Sequence, residues 1–260
     1  MASIDAVTFD LWQTLIVDSP EQGRPRMQAR LDGVLKALQG EGFDVPEERM
    51  REASRKTYEA CDAVRAKGRD VSFDEQVDIF LRNVDAGMAK RLSDPGRAEV
   101  SRRYADSYLD HPPNVDEHAE SVLRTLRDMG FKLALICNTG ATPGVTQRVF
   151  LDRVGLGQYF ETLTFSDEER LSKPASEIFR LTLERINAEP ARTVHVGDHH
   201  RNDVAGAKGA GLRVIWLRRN DKAPEEYYSN VPTTGGEHQV QADAEVRDLG
   251  QVVPAIKGLL

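Results

Sequence analysis

Four short polar clusters in this 260-residue sequence combine residue types that can hold cations and anionic groups. Asp10 closes the run Ala6-Val7-Thr8-Phe9, within FDLWQTL. Cys137-Asn138-Thr139-Gly140 follows the apolar stretch ending in Leu135 and Ile136. Lys173-Pro174 lies within LSKPASEIF, and GDHHRND supplies Asp198 and Asp203. Each has an ordinary explanation when taken singly. An Asp after a strand commonly makes a turn, a Lys-Pro pair is usual in a solvated loop, and Gly-Asp is frequent turn chemistry. Together they are a specific signal, because all four fall at predicted strand ends. Ligands of open parallel sheets gather beyond the carboxyl ends of the strands.

The elements that must position these residues are legible from periodicity. Ala6–Phe9 is short and β-rich and reads as a buried strand. Residues 22–112 then show helical spacing and no convincing strand. Met27, Leu31, Val34, Leu35 and Leu38 form one stripe, Met50, Ala53, Thr57, Cys61 and Val64 a second, and Val77, Phe80, Leu81, Val84 and Met88 a third. A fourth helix is expected from Asp94 to Asp110, with Val100, Tyr104 and Tyr108 on one face. Four such helices can bury their stripes against one another. From Pro112 onward, helix and strand alternate with short joins, with strands expected at residues 131–136, 162–165, 193–196 and 212–216. That alternation predicts an α/β fold with a Rossmann-like, doubly wound parallel sheet. The expected division is a core of residues 1–20 and 113–260 and an inserted all-helical unit of residues 21–112. Residues 219–241 read as a loop, and 242–260 as a final strand and helix.

The constellation resembles the haloacid dehalogenase-like hydrolase superfamily, over nearly the whole chain, with the helical insertion where many members carry a cap domain. The resemblance implies that Asp10 is the catalytic nucleophile and that Lys173 neutralises charge between it and a phosphate. It implies that Asp198 and Asp203 hold Mg²⁺ together with Asp10 and the backbone carbonyl of Trp12. Asn138 and Thr139 lie over the motif that binds the transferring group, with Trp12 on the substrate side. These roles are chemically consistent, since a carboxylate attacking a phosphate dianion needs a divalent cation and a lysine to offset repulsion.

Two departures from the family pattern bear on the reaction. The usual phosphatase motif is Asp-x-Asp-x-Thr, whereas this chain reads Asp10-Leu11-Trp12-Gln13-Thr14. An indole N–H cannot replace the missing carboxylic acid, a contribution typically worth about 10² to 10⁴ in rate. Gln13 also stands where glycine is usual. Cys137 occupies a Ser/Thr position and reads as a small buried residue. An aromatic residue after the nucleophile is also found in the 2-haloacid dehalogenases of the superfamily, which work without metal and lack the acidic pair. Retention of Asp198 and Asp203 favours Mg²⁺, because clustered carboxylates repel one another without a cation. A Mg²⁺-dependent phosphatase acting through an aspartyl phosphate is the leading expectation. A metal-free dehalogenase and a catalytically weak metal-binding protein are the alternatives.

The remaining features set boundaries. The formal charge of −7 argues against nucleic-acid and membrane partners and leaves a small, anionic molecule as the expected substrate. Cys61 and Cys137 are the only cysteines, which fits a reducing compartment. The opening MASIDAVTFD lacks a basic region followed by an apolar run, predicting no leader peptide and a cytoplasmic enzyme. His195 is expected to pack inside its strand, and Trp216 to belong to the sheet core. His199 and His200 are expected in a solvated loop, with replacement of the lost acid as their alternative role. Arg24 and Arg26 are expected as exposed helix charge, with contact to an anionic substrate as the alternative.

Overall fold

The computed structural model describes residues 4–219 and 240–260. Six parallel strands form the central sheet: β1 (Ala6–Phe9), β4 (Lys132–Cys137), β5 (Thr162–Phe165), β6 (Thr193–Gly197), β7 (Arg213–Leu217) and β8 (Ala244–Val246). Their spatial order is β5-β4-β1-β6-β7-β8. The chain therefore leaves β1 in both directions, which places a topological switch beside it. β1 is fully buried, with Thr8 its one polar side chain, as expected for a strand covered on both faces. One apolar cluster joins Val7, Phe9, Leu133 and Leu135 to α6 (Ala119–Asp128) and the final helix, α11 (Val252–Leu259). On the opposite face, Ala6, Ala134 and Val214 meet Ile178, Phe179 and Leu183 of α9 (Ser176–Arg185).

Two short strands, β2 (Ile16–Val17) and β3 (Asn114–Val115), pair antiparallel where the chain leaves and re-enters the sheet. The sequence reading did not resolve this ribbon, because two residues are too few to show a period. Between its strands lie α1 (Pro20–Gly40), α2 (Glu47–Arg65), α3 (Phe73–Val84), α4 (Met88–Arg91) and α5 (Asp94–Asp110). They pack around their own cluster of Leu31, Val34, Leu38, Met50, Val77, Phe80, Leu81 and Val100. A capping box starts α3: Glu75 N–H donates to Ser72 Oγ at 3.3 Å, and Ser72 N–H to Glu75 Oε2 at 3.1 Å.

Two expectations for this unit are corrected. Met27 is exposed, and the buried stripe of α1 begins instead with Arg26 and Arg30. Arg26 is thus not exposed helix charge, because Asp18 supplies it with a buried carboxylate at 2.7 and 3.0 Å. Arg24 does lie exposed. Of the loop expected over 219–241, residues 220–239 fall outside the described residues, and His238 with them. No described helix is long and apolar enough to cross a membrane.

Candidate active site

The parallel register delivers the first two carboxylates. Phe9 pairs with Val196, and Asp10 N–H donates to Val196 O at 2.9 Å, so Asp10 emerges directly beside the Gly197-Asp198 turn. Glycine is required at 197, since a Cβ there would approach Asp203 Cγ to 2.4 Å. After His199 the chain makes a π-helical turn, His200–Ala205, which returns Asp203 to the sheet. His199 opens that turn by accepting Asn202 N–H on Nδ1 at 3.2 Å, and His199 N–H donates to Asp203 Oδ2 at 2.9 Å. Ligand atoms of Asp10, Asp198 and Asp203 lie within 4.8 Å of one another.

Lys173 arrives from the segment before α9, across a cis Lys173–Pro174 peptide. Its Nζ donates to Asp10 Oδ1 and Asp203 Oδ1, each at 2.6 Å. Asn138 holds that segment with both ends of its amide. Its Nδ2 donates to Lys173 O at 3.0 Å, and its Oδ1 accepts Lys173 N–H at 2.9 Å. Thr14 Oγ1 donates to the second oxygen of Asp10 at 3.0 Å. The turn that carries Thr14 needs a left-handed residue, and Gln13 fills it at φ 58° despite its Cβ. Its side chain compensates by donating to Asp18 O at 2.9 Å, and Arg219 binds the carbonyls of Gln13 and Thr14 at 2.8 and 2.7 Å.

The electrostatics follow from burial and charge count. Burial raises the pKa of Asp10, partly opposed by Lys173. Burial also works against ionised Asp203, yet the Lys173 ammonium and His195 hold it well below the usual carboxylate range. Lys173 loses solvation too, and the charges of Asp10 and Asp203 outweigh that loss and raise its pKa. Asp10 and Asp203 thus share the single Lys173 ammonium, each at 2.6 Å.

His195 is more than a packed strand residue. Its Nδ1 lies 2.8 Å from Thr8 Oγ1 and its Nε2 3.2 Å from Asp203 Oδ1, forming a buried chain beneath the cluster. Its alternation on a fully buried strand was the available signal. Trp216 is only half-buried and is not simply sheet core: its Nε1 donates to Asp198 O at 2.7 Å. Cys137 is buried, its thiol donating to Gln147 Oε1 at 3.3 Å, and burial pushes its pKa far up. His200 Nε2 meets Val240 O at 3.1 Å. Trp12 is half-buried, with its ring edge-on to Tyr108 of α5 and the Arg26 guanidinium 5.8 Å from its centroid.

A relay absent from the sequence reading joins the helical insertion to this face. Thr139 N–H donates to Ser166 Oγ at 2.9 Å, and Ser166 Oγ donates to Asp70 Oδ2 at 2.6 Å. Asp70 lies between α2 and α3 and is held by Arg65 Nε at 2.9 Å. No residue pattern linked Asp70 to Thr139, because their proximity is purely tertiary.

Comparison with known proteins agrees with this architecture. A family model described as haloacid dehalogenase-like hydrolase matches residues 4–211. A ribulose-1,5-bisphosphate 5-phosphatase from Halopiger xanaduensis is 27% identical over 254 residues, covering 96% of this chain and 98% of the relative. The 5-amino-6-(5-phospho-D-ribitylamino)uracil phosphatase YigB of Escherichia coli is 28% identical, covering 84% and 85%. Among solved structures, a 2-haloacid dehalogenase from Pseudomonas syringae superposes with a TM-score of 0.70 at 22% identity, covering 98% and 99%. At that identity the likeness establishes the shared fold. With the family model spanning most of its length, the chain belongs to the haloacid dehalogenase-like hydrolases.

Proposed function

We propose that this hydrolase is a Mg²⁺-dependent phosphatase acting on a small phosphorylated molecule through an aspartyl phosphate on Asp10. The observation that carries this reading is the convergence of Asp10, Asp198 and Asp203, two of which also meet the Lys173 ammonium. The donor set fits the ion: all three are hard carboxylate oxygens. The Trp12 carbonyl, which accepts no hydrogen bond from the described residues, completes the set. When bound, Mg²⁺ supplies charge that offsets repulsion between Asp10 and a phosphate dianion.

The chain's own residues supply the rest. Asp10 attacks phosphorus, and the oxygen of the ester leaves with the bonding pair. Thr14 and Lys173 hold the two carboxylate oxygens of Asp10 and so fix its direction of approach. Lys173 offsets negative charge between carboxylate and phosphate, while Asn138 fixes the backbone that carries it. Thr139 and Trp12 face the substrate side. Water then cleaves the acyl phosphate, releasing phosphate and restoring the Asp10 carboxylate. Helices α1–α5 serve as the cap that covers the substrate, and a reducing, cytoplasmic setting suits the two buried free thiols.

The relatives named above as phosphatases support this reading over dehalogenation. One observation favours the second reading: the Trp12–Tyr108 aromatic wall suits a halogenated carbon. A screen of purified protein against phosphate esters and 2-haloacids, with and without Mg²⁺, separates the two. Metal-dependent phosphate release is expected; metal-independent halide release would select the dehalogenase.

A further inference from the structure

Three arginines of the helical insertion reach toward the sheet, but only two carboxylates serve them. Arg26 is paired with Asp18 at 2.7 Å and Arg65 with Asp70 at 2.9 Å. Arg30, on α1 one turn beyond Arg26, is buried with no carboxylate partner among the described residues. Its Nε donates to Tyr104 O at 2.9 Å and its Nη2 to Thr142 Oγ1 at 3.3 Å, both neutral acceptors. Its guanidinium carbon lies 4.9 Å from the centroid of the Tyr104 ring. Nη1 makes no hydrogen bond to any described residue. Burial, with repulsion from Arg26, holds its pKa below the ordinary arginine value. An unpaired buried charge is strongly unfavourable, so a protein that keeps one usually meets it with a ligand charge.

The location is the substrate's side of the molecule. Thr142 belongs to the loop after β4 that begins with Asn138 and Thr139, and Thr142 N–H donates to Thr139 O at 3.3 Å. Gln147 Nε2 ties the carbonyls of Thr139 and Thr142 together, at 3.4 and 2.9 Å. A second buried polar group of the helical insertion also lacks a partner among the described residues. The Tyr108 hydroxyl, one turn along α5 from Tyr104, is fully buried without a hydrogen bond, and its ring packs against Trp12. We propose that Arg30 anchors a second anionic group of the substrate, so that the phosphomonoester carries a carboxylate or another phosphate away from the reacting ester. This rests on the phosphatase reading and names its substrate class.

The test compares three aryl phosphates of similar leaving group: phenyl phosphate, 4-(carboxymethyl)phenyl phosphate and 1,4-phenylene bisphosphate, all in Mg²⁺. Wild type is expected to favour one of the two anionic esters by about 30-fold or more in kcat/KM, as expected for a buried charge pair. The favoured arm tells carboxylate from phosphate. Arg30→Met is expected to collapse that ratio, mainly through KM, without lowering Tm, whereas Arg30→Lys keeps part of it. Equal kcat/KM for all three esters in wild type overturns the proposal. So does an unchanged ratio in Arg30→Met, which would make Arg30 a strut between the units. If Arg30→Met does not fold, Arg30→Lys and Arg30→Gln read the same ratio. Failure of all three esters in wild type would remove the phosphatase reading itself, and this inference with it.

Discussion

Asp10 is held at both oxygens, by Lys173 and by Thr14, so replacing its charge while keeping its shape isolates its role. Asp10→Asn is expected to reduce turnover to background. It also removes one of three mutually repelling carboxylates, so Tm should not fall. Turnover by purified Asp10→Asn protein, with Tm from calorimetry, checks both expectations, and retained activity would exclude Asp10 as nucleophile. Trp12 carries the second residue-scale prediction. With no carboxylic acid two residues beyond Asp10, the departing oxygen receives no proton from that position. Aryl and acyl phosphates should react, and alkyl and sugar phosphates should lag by about 10² to 10⁴. Rates across a leaving-group series in Mg²⁺ measure this, and a flat dependence would show that another residue donates the proton. Asp10 was open to sequence reading because it sits at a strand end, whereas Lys173, expected at one too, comes after a short helix, Ser166–Glu169, that follows β5. The roles of His195 and Asp70 were not open to it, because one acts from inside β6, beneath the carboxylates, and the other arrives from a separate unit.

At the scale of elements, amphipathic periodicity located most of the helices, and it failed where tertiary partners redefine a face. On α1, Met27 was expected inside and Arg26 outside, but Asp18 and the tyrosines of α5 reverse that assignment. Hydropathy alone cannot anticipate a buried ion pair. The N-terminus of α7 (Gly144–Arg153) gives an element-scale prediction about pH. Asp167 is largely buried and places both oxygens 3.2 Å from Gly144 N. Burial raises its pKa to about 6, although the Gly144 amide opposes the shift. A carboxyl whose pKa rises on folding favours the folded state below its unfolded value, near 3.8, and that contribution is lost as pH rises through about 6. The loss amounts to at most about 3 kcal/mol at 1.36 kcal/mol per pKa unit. Asp167→Asn keeps an acceptor for Gly144 and removes the titration. It should raise Tm relative to wild type at pH 7 to 8 and lose that advantage near pH 4. A Tm difference independent of pH would refute the assignment.

For the whole molecule, the strand order does what no single motif can. Asp10 and Asp198 are nearly 190 residues apart in sequence, yet pairing of β1 with β6 makes them neighbours. The alternation of helix and strand made the sheet legible, while its order came from the fold alone. Asp203 then returns through the π-helical turn, and Lys173 bridges it to Asp10. Because the site exists only when these distant segments are assembled, Mg²⁺ should bind the folded chain and not the unfolded one. Its binding free energy then adds directly to stability, by about 2.7 kcal/mol at a hundredfold excess over Kd. Wild-type Tm should therefore climb with the logarithm of Mg²⁺ concentration. Asp198→Ala should abolish that climb without unfolding the protein, since Asp198 is half-buried and stands outside the Lys173 pairings. Asp203→Ala should abolish it too, at a lower starting Tm, because it strips both Lys173 and His195 of a buried partner. Calorimetric titration of the three proteins with MgCl₂ decides the matter. A wild-type Tm indifferent to Mg²⁺, or an Asp198→Ala protein that still responds fully, would mean that these three carboxylates do not form the cation site.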